Sequence, residues 1–461
     1  MARYDHLELV RLPEQFERRK HGGGGPPPAR DRDQHTTKLR DELDAATQEQ
    51  RRRRKPEFVD PSLILRVQMT GARLEEEWER LGLTVLSSDA DRTLVLFASS
   101  EDMRDFRARL DAYQGGAPPG QKHAPYINFV SGIESIGSVE ARDRIGPRLR
   151  EEGFADVEDL VAQTSYLIDI ELWDLGERRL RERKIEDVIR YVEARGGDVF
   201  DRYVGPSISM FRARLTGELL RTLLTIEEIA AIDLPPAPDV TTAEALDMVL
   251  ADAPPLNAVA DDAPLIGIID SGVNDHPFLA DVIAGSIAVP ADLGTADVWG
   301  HGTRVAGVAV FGDLRAQLDT GALQRGARIC AAKVINDRGD FDDRRLVPSQ
   351  MREAVMTLNQ RFGCRVFVIA LADRRRVFDG GKVGTWAATL ELARELDVVI
   401  VVSSGNRSPR GGNRLEQAVT EYPRYLLEDA NRLFEPAGAL NVITVGALAH
   451  GEGLDPDRAD D

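Results

Sequence analysis

Two cysteines in 461 residues cannot staple a fold, so ordinary core packing has to hold this chain together. Cys330 and Cys364 both lie in apolar, strand-like surroundings, which suits reduced, buried thiols. No apolar run approaches the roughly 20 residues that a membrane-crossing helix needs. The opening MARYDHLELVRLPEQFERRK has acids early and no apolar stretch of the kind that marks a secretory signal. These absences predict a soluble, cytoplasmic protein with no membrane partner. Positive charge is also short: 59 basic against 77 acidic side chains give a formal net charge of -18, which argues against nucleic acid as a partner. What the chain does have is 42% apolar residues, enough for the two or three cores that its length implies.

Residues 1–56 mix charge with HGGGGPPPARDRD and end in RRRRKP, a composition that buries little, and they read as a flexible, polar segment. Within it, Gln34 to Arg53 has the pattern of a polar, solvated helix, with the Arg51 to Lys55 run as its solvated end. From 57 to 114 the pattern is strand, helix, strand, strand, helix, a small α+β unit of ferredoxin-like kind. Residues 115–164 read as a linker, GGAPPGQKHAP, followed by a helical connector. A second α+β unit of similar order spans 165–240, which suggests an internal duplication. The Pro-, Ala- and Asp-rich stretch 241–262 reads as a linker, either carrying a processing site or ordered along the surface of the next domain.

The stretch from Pro264 to Val310 organises the rest. Leu265 to Ile269 reads as a buried parallel strand that stops at Asp270-Ser271-Gly272, delivering an acid to the strand's carboxyl end. Thirty-one residues later, His301-Gly302-Thr303 opens a segment of small and apolar residues suited to a buried helix. An acid and a base are thus placed at the ends of rigid elements, at the edge of an α/β sheet where active sites gather. Strands near 265–269, 328–335, 365–371, 397–403 and 441–446 alternate with helices near 301–312, 348–361 and 384–395. That alternation predicts a doubly wound, mostly parallel α/β sheet over residues 263–461.

IIDSGV followed by HP, then GHGTRVAG, resembles the aspartate and histidine blocks of the subtilisin-like serine proteases, the subtilases. GARICAAKVINDRG, DVVIVVSSGN and NVITVGA come after them in the family's order. The resemblance implies peptide-bond hydrolysis by acyl transfer, with Asp270 as the orienting acid, His301 as the general base and Asn406 as the oxyanion-hole donor. It places the substrate-binding strand at Ala370, Leu371 and Ala372, with Ala372 where the family has glycine and with Asp373 and three arginines next in line. It also implies a protein or peptide substrate and no required metal or cofactor; many subtilases hold structural calcium, but no Asp/Asn-rich loop marks such a site here. A small unit ahead of a subtilase domain often serves as a propeptide that occupies the cleft, and 165–240 looks like one; a plain accessory domain is the alternative. Subtilases with long N-terminal domains also resemble proteases that work beside an ATPase partner, some in bacterial defence.

One family block has no counterpart. The nucleophile of subtilases lies in Gly-Thr-Ser-x-Ala after the VITVGA strand, and no such motif occurs in the 461 residues. Ser271, Ser403, Ser404 and Ser408 each belong to blocks with other tasks. Two expectations stay open. In the first, the chain is the front part of a longer protease, truncated before its serine and inactive alone; in the second, it is a serine-less pseudoprotease that binds peptides or regulates. An aspartic protease would also use an apolar-Asp-Ser-Gly loop, but it requires an all-β domain, which the βα alternation opposes.

Overall fold

The computed structural model describes residues 28–53, 63–70, 75–88, 93–98, 103–174, 178–239, 253–378, 380, 382–406, 421, 424 and 431–446. The GGGGPPP tract up to 27, residues 54–62, most of the 241–262 linker and the tail after 446 lie outside these. Three units succeed one another along the chain.

The first comprises helix α1 (Arg32–Arg53), β1 (Leu63–Met69), α2 (Glu75–Glu79), β2 (Thr84–Ser88), β3 (Thr93–Ala98), α3 (Arg104–Gln114), α4 (Ile127–Val130) and β4 (Ile133–Ser138). Its antiparallel sheet has the order β2-β3-β1-β4. The unit therefore extends through 138, beyond the expected boundary at 114. β4 (IESIGS) is hard to read in sequence because Gly and Ser dilute its alternation. Helix α1 is not a solvated element of a flexible segment. It buries Leu39, Leu43 and Ala46 in the unit's core, and its polar residues are spent on backbone groups of β4, α4 and β1. Glu42 accepts from the Ile136 amide at 2.9 Å, His35 meets the Val130 carbonyl at 3.0 Å, and the Gln50 side chain accepts from the Ile64 amide at 3.1 Å. A helix that covers a strand edge needs side chains that satisfy backbone groups, so it reads as polar in sequence.

The second unit begins inside the expected connector, with α5 (Pro147–Glu151), and continues through β5 (Ser165–Leu172), α6 (Arg178–Glu193), β6 (Asp198–Val204), β7 (Ser209–Thr216), α7 (Gly217–Leu223) and β8 (Ile229–Asp233). Its order, β6-β7-β5-β8, repeats that of the first sheet. Ile64 and Val95 of the first unit pack with Val139, Trp173 and Ala230, joining the two.

The third unit is a six-stranded parallel sheet. Its elements are β9 (Leu265–Asp270), β10 (Ile283–Ala288), α8 (His301–Phe311), α9 (Leu314–Thr320), β11 (Arg328–Lys333), α10 (Val347–Phe362), β12 (Val366–Ile369), β13 (Asp373–Val377), α11 (Thr385–Thr389), α12 (Leu392–Leu396), β14 (Val399–Ser403), β15 (Phe434–Glu435) and β16 (Ile443–Val445). The strand order is β10-β11-β9-β12-β14-β16, with β13 and β15 forming a separate antiparallel pair. β10 has no counterpart among the expected strands, and the helix expected at 384–395 is split into α11 and α12. Both free thiols, Cys330 and Cys364, are buried in this core. Residues 256 and 257 of the linker lie along the sheet domain, where the Asn257 amide donates to the Leu323 carbonyl at 2.9 Å. Among the described residues, no helix is long and apolar enough to cross a membrane.

The second and third units meet through buried charge. Arg148 on α5 contacts Asp233 at the end of β8 (3.2 Å), Asp373 on β13 (2.5 Å) and Glu435 on β15 (3.0 Å). All four side chains are almost wholly enclosed. Burial works against the Arg148 cation, but the three carboxylates outweigh it and raise its pKa further. Burial pushes the Asp233 carboxyl above its usual range, an effect that Arg148 only partly offsets. Replacing Arg148 by Met strands three carboxylates in the interior. Arg148→Met is expected to lower the unfolding free energy by about 3–5 kcal/mol, measured by denaturant titration, and to speed proteolytic separation of the second unit from the third.

Candidate active site

β9 is the site's foundation. It runs between β11 and β12, and Asp270 at its carboxyl end is 1% exposed. The chain then turns through Gly272 at φ +106°, a conformation that L side chains rarely adopt. Helix α8 starts against this turn. A Cβ at Gly302 would lie 2.1 Å from the Gly272 carbonyl oxygen, so only glycine allows the helix so near. This approach sets His301, the first residue of α8, beside Asp270: Nδ1 to Oδ1 is 2.7 Å. The same Oδ1 accepts from the Ser271 amide at 2.7 Å. Asp270 Oδ2 is buried with no hydrogen-bond partner among the described residues.

Burial alone would lower the His301 pKa, but the hydrogen bond to Asp270 and its charge outweigh it and hold the imidazole above its usual 6.5. With the Nδ1–H donating its hydrogen bond to the carboxylate, Nε2 carries the free lone pair. A neutral imidazole held this way can accept a proton from a hydroxyl or thiol brought to Nε2.

Asp297, which none of the sequence motifs singles out, organises the start of α8. Its Oδ1 accepts from the Ser271 hydroxyl (2.8 Å), the Trp299 amide (3.1 Å) and the Gly300 amide (2.8 Å). Its Oδ2 accepts from the Thr303 amide (2.8 Å) and hydroxyl (2.6 Å). An Asp a few residues ahead of a helix start is a local capping signal that could have revealed it. Ser271 is likewise structural: it is fully buried, donates to Asp297 and accepts from the Gly302 amide at 2.9 Å. Asn274 ties the loop again, its amide side chain bonding the Asp297 carbonyl and amide at 2.8 Å each.

The remaining sequence candidates occupy the same sheet edge. β9, β12 and β14 are parallel neighbours, so Asp270, the Ala370–Ala372 stretch and Asn406 all lie at or beyond carboxyl strand ends. Asn406 is exposed and comes directly after Gly405, which turns at φ +97° against the ring of Phe434. Leu371 is fully buried in the core, so its side chain is unavailable to a ligand and only its backbone faces the edge. Ala372 is also buried, and its carbonyl accepts a hydrogen bond from the Asp239 amide at 2.8 Å. The chain leaving the second unit thus crosses this strand.

A parallel sheet with an acid at a central strand tip and a histidine at the next helix start agrees with a subtilase domain. The chain belongs to the subtilase family, its residues 261–456 matching that family; residues 33–140 match the Y4kK N-terminal domain and 143–234 the Y4kK central domain. It is similar to the uncharacterised protein y4kK of Sinorhizobium fredii (strain NBRC 101917 / NGR234), 72% identical over 285 residues, which cover 62% of this chain and 91% of that protein. The uncharacterised protein y4bN of the same strain is 72% identical over 116 residues, 25% of this chain and 27% of that protein. Among solved structures, fervidolysin from Fervidobacterium pennivorans, a keratinolytic enzyme related to subtilisin, is similar at 19% identity and a TM-score of 0.33, over 53% of this chain and 40% of its own. The patellamide maturation protease PatA is similar at 18% identity and a TM-score of 0.27, over 41% of this chain and 58% of its own. The chain therefore spans less than two thirds of y4bN and of either solved structure.

The elevated His301 pKa has a defined sign. The His301–Asp270 pair stabilises the fold fully below pH 6.5, and that contribution fades as pH rises through the higher folded value. Imidazole NMR is expected to show His301 titrating above 6.5, with Asp270→Asn bringing it down. Asp297→Ala removes five accepted hydrogen bonds and is expected to lower the third unit's unfolding free energy by about 3 kcal/mol, measured by chemical denaturation.

Proposed function

We propose that the third unit is the front part of a subtilisin-type serine endopeptidase, in which Asp270 orients His301, His301 takes the nucleophile's proton and Asn406 donates to the oxyanion. The observation that carries this reading is the 2.7 Å contact between His301 Nδ1 and Asp270 Oδ1, within a loop that Asp297 locks in place. In the reaction, Nε2 would accept the proton of an attacking serine hydroxyl and return it to the leaving amine, while Asp270 holds the tautomer and stabilises the imidazolium. An amide donor of the Asn406 kind contributes on the order of 3 kcal/mol to such a transition state, a magnitude known from subtilisin itself. The serine would come from a segment with the family's Gly-Thr-Ser-x-Ala motif, which is not among these 461 residues.

The sheet supports an added element. Val399, Val401 and Ser403 share a face with Ile443 and Val445, and Ile443 and Val445 are 55% and 50% exposed while Ile400 and Val402 on the other face are buried. Among the described residues this apolar face lacks a cover, and a helix carrying the serine would supply one. The second unit fits a propeptide-like role because it hands residues 235–239 to the cleft strand. A cytoplasmic setting and an ATPase partner that restrains the protease are further parts of the proposal.

The second reading, a serine-less module that binds or regulates, is favoured by the cleft strand being paired in cis. Fluorophosphonate labelling of the full-length native gene product separates the two. Labelling that disappears in His301→Ala is expected for the protease. A complete product that stays unlabelled after removal of the first two units would make the binding module the function.

A further inference from the structure

Residues 235–239, Pro-Pro-Ala-Pro-Asp, leave β8 and run antiparallel to the strand beyond β12. Pro238 forms a bridge with Asp373, and the Asp239 amide donates to the Ala372 carbonyl at 2.8 Å. The Ala237 amide meets the Asp373 carboxylate at 3.3 Å. Pro236 and Pro238 are buried, and proline fixes the backbone near the extended form that strand addition requires. The segment is thus held like a bound peptide, by backbone pairing on one side and alternate side chains on the other.

The register decides which side chains meet. Asp239 lies opposite Ala372, and Arg374, two residues further along, projects from the same face as Ala372. Asp239 and Arg374 are therefore diagonal neighbours on one face of the ladder, a spacing of roughly 7–8 Å that long side chains span. The three arginines after the cleft strand are not equivalent. Arg375 pairs with Glu152 at 3.2 Å and Arg376 with Glu435 at 3.4 Å, so both are committed to the fold. Arg374 is exposed and forms no salt bridge among the described residues. Burial raises the Asp239 pKa, while the fields of Arg374 and His301 pull it down, so this carboxylate lies within electrostatic reach of both.

We propose that Ala372 and Arg374 form a subsite for an acidic side chain, and that Asp239 occupies it in cis. The class of ligand is an extended peptide with Asp or Glu at the position whose amide bonds Ala372, with proline tolerated on its amino-terminal side. As a substrate subsite this rests on the protease reading; as a peptide groove it stands without it. The Arg374 guanidinium selects the acid, the Ala372 carbonyl fixes the register, and the in-cis segment must be displaced before another peptide enters.

Hydrogen exchange at the residue-239 amide in the 461-residue chain reads the pair directly. Asp239→Lys and Arg374→Glu should each speed exchange by roughly threefold or more, and the double charge reversal should restore protection. A second measurement titrates the Asp239→Lys chain with a fluorescein-labelled Leu-Pro-Pro-Ala-Pro-Asp peptide and its Asn counterpart. Preference for the Asp peptide by roughly threefold or more, abolished by adding Arg374→Ala, supports the subsite. Equal binding of the two peptides, binding of neither, or exchange that the charge reversal does not restore would overturn it. The fluorophosphonate result is independent of Arg374. Labelling with unchanged exchange rejects the acidic subsite alone, whereas restored exchange without labelling rejects the protease and leaves an acidic-peptide groove.

Discussion

The Arg148 cluster is the constraint on which the arrangement of the domains depends. One guanidinium gathers carboxylates that lie 85, 225 and 287 residues away in sequence, from β8, β13 and β15. A buried cation of this kind contributes little net stability compared with an apolar core, because desolvation consumes most of the attraction. What it does is fix geometry: from the second unit, where it also meets Asp233, Arg148 reaches across to Asp373 and Glu435 of the third. β13 continues the candidate cleft strand, and Asp233 ends the strand from which residues 235–239 depart. The same cluster therefore holds both the cleft and the segment that crosses it. Arg212 repeats the device nearby, bonding Asp169 at 2.6 Å and the Asp342 carbonyl at 2.9 Å across the same boundary.

The candidate site is rigid for a related reason. His301 takes its place not from its own packing but from a loop whose polar groups are bonded to Asp297, Ser271 and Asn274. Two glycines, at 272 and 302, let the loop and helix backbones touch. A carboxylate and imidazole set by such a network are oriented before any ligand arrives, and proton transfer then requires little reorganisation. The cost falls on Asp270, whose Oδ2 is buried without a donor among the described residues. The hydrogen bond and charge that Asp270 offers through Oδ1 hold the His301 imidazole above its ordinary value.

Much of this is legible in the chain. The strand ending at Asp270, the helix opening at His301, the order of α/β elements and the βαββαβ character of the second unit are set by periodicity and turn residues, which act over a few positions. The family blocks carry the rest of the site's outline. Harder to read are elements whose residues serve distant partners. Helix α1 looks like a solvated helix because Glu42 and Gln50 are polar, yet those side chains satisfy backbone amides of the sheet. β4 and β10 are short and rich in glycine and serine, so their strand character comes from their neighbours in the sheet.

Hydrophobic spacing and glycine turns are local physics, and they suffice to dictate which elements form and which of them carry an acid, a base and an amide at their ends. Long-range burial had to add that Asp297 organises the His301 loop, that Leu371 belongs to the core, and that Arg148 joins two units. It also set Asp239 against Ala372, one diagonal from Arg374. Each of these depends on which polar groups become neighbours when distant segments are buried together, and a buried polar group takes its meaning from its partner.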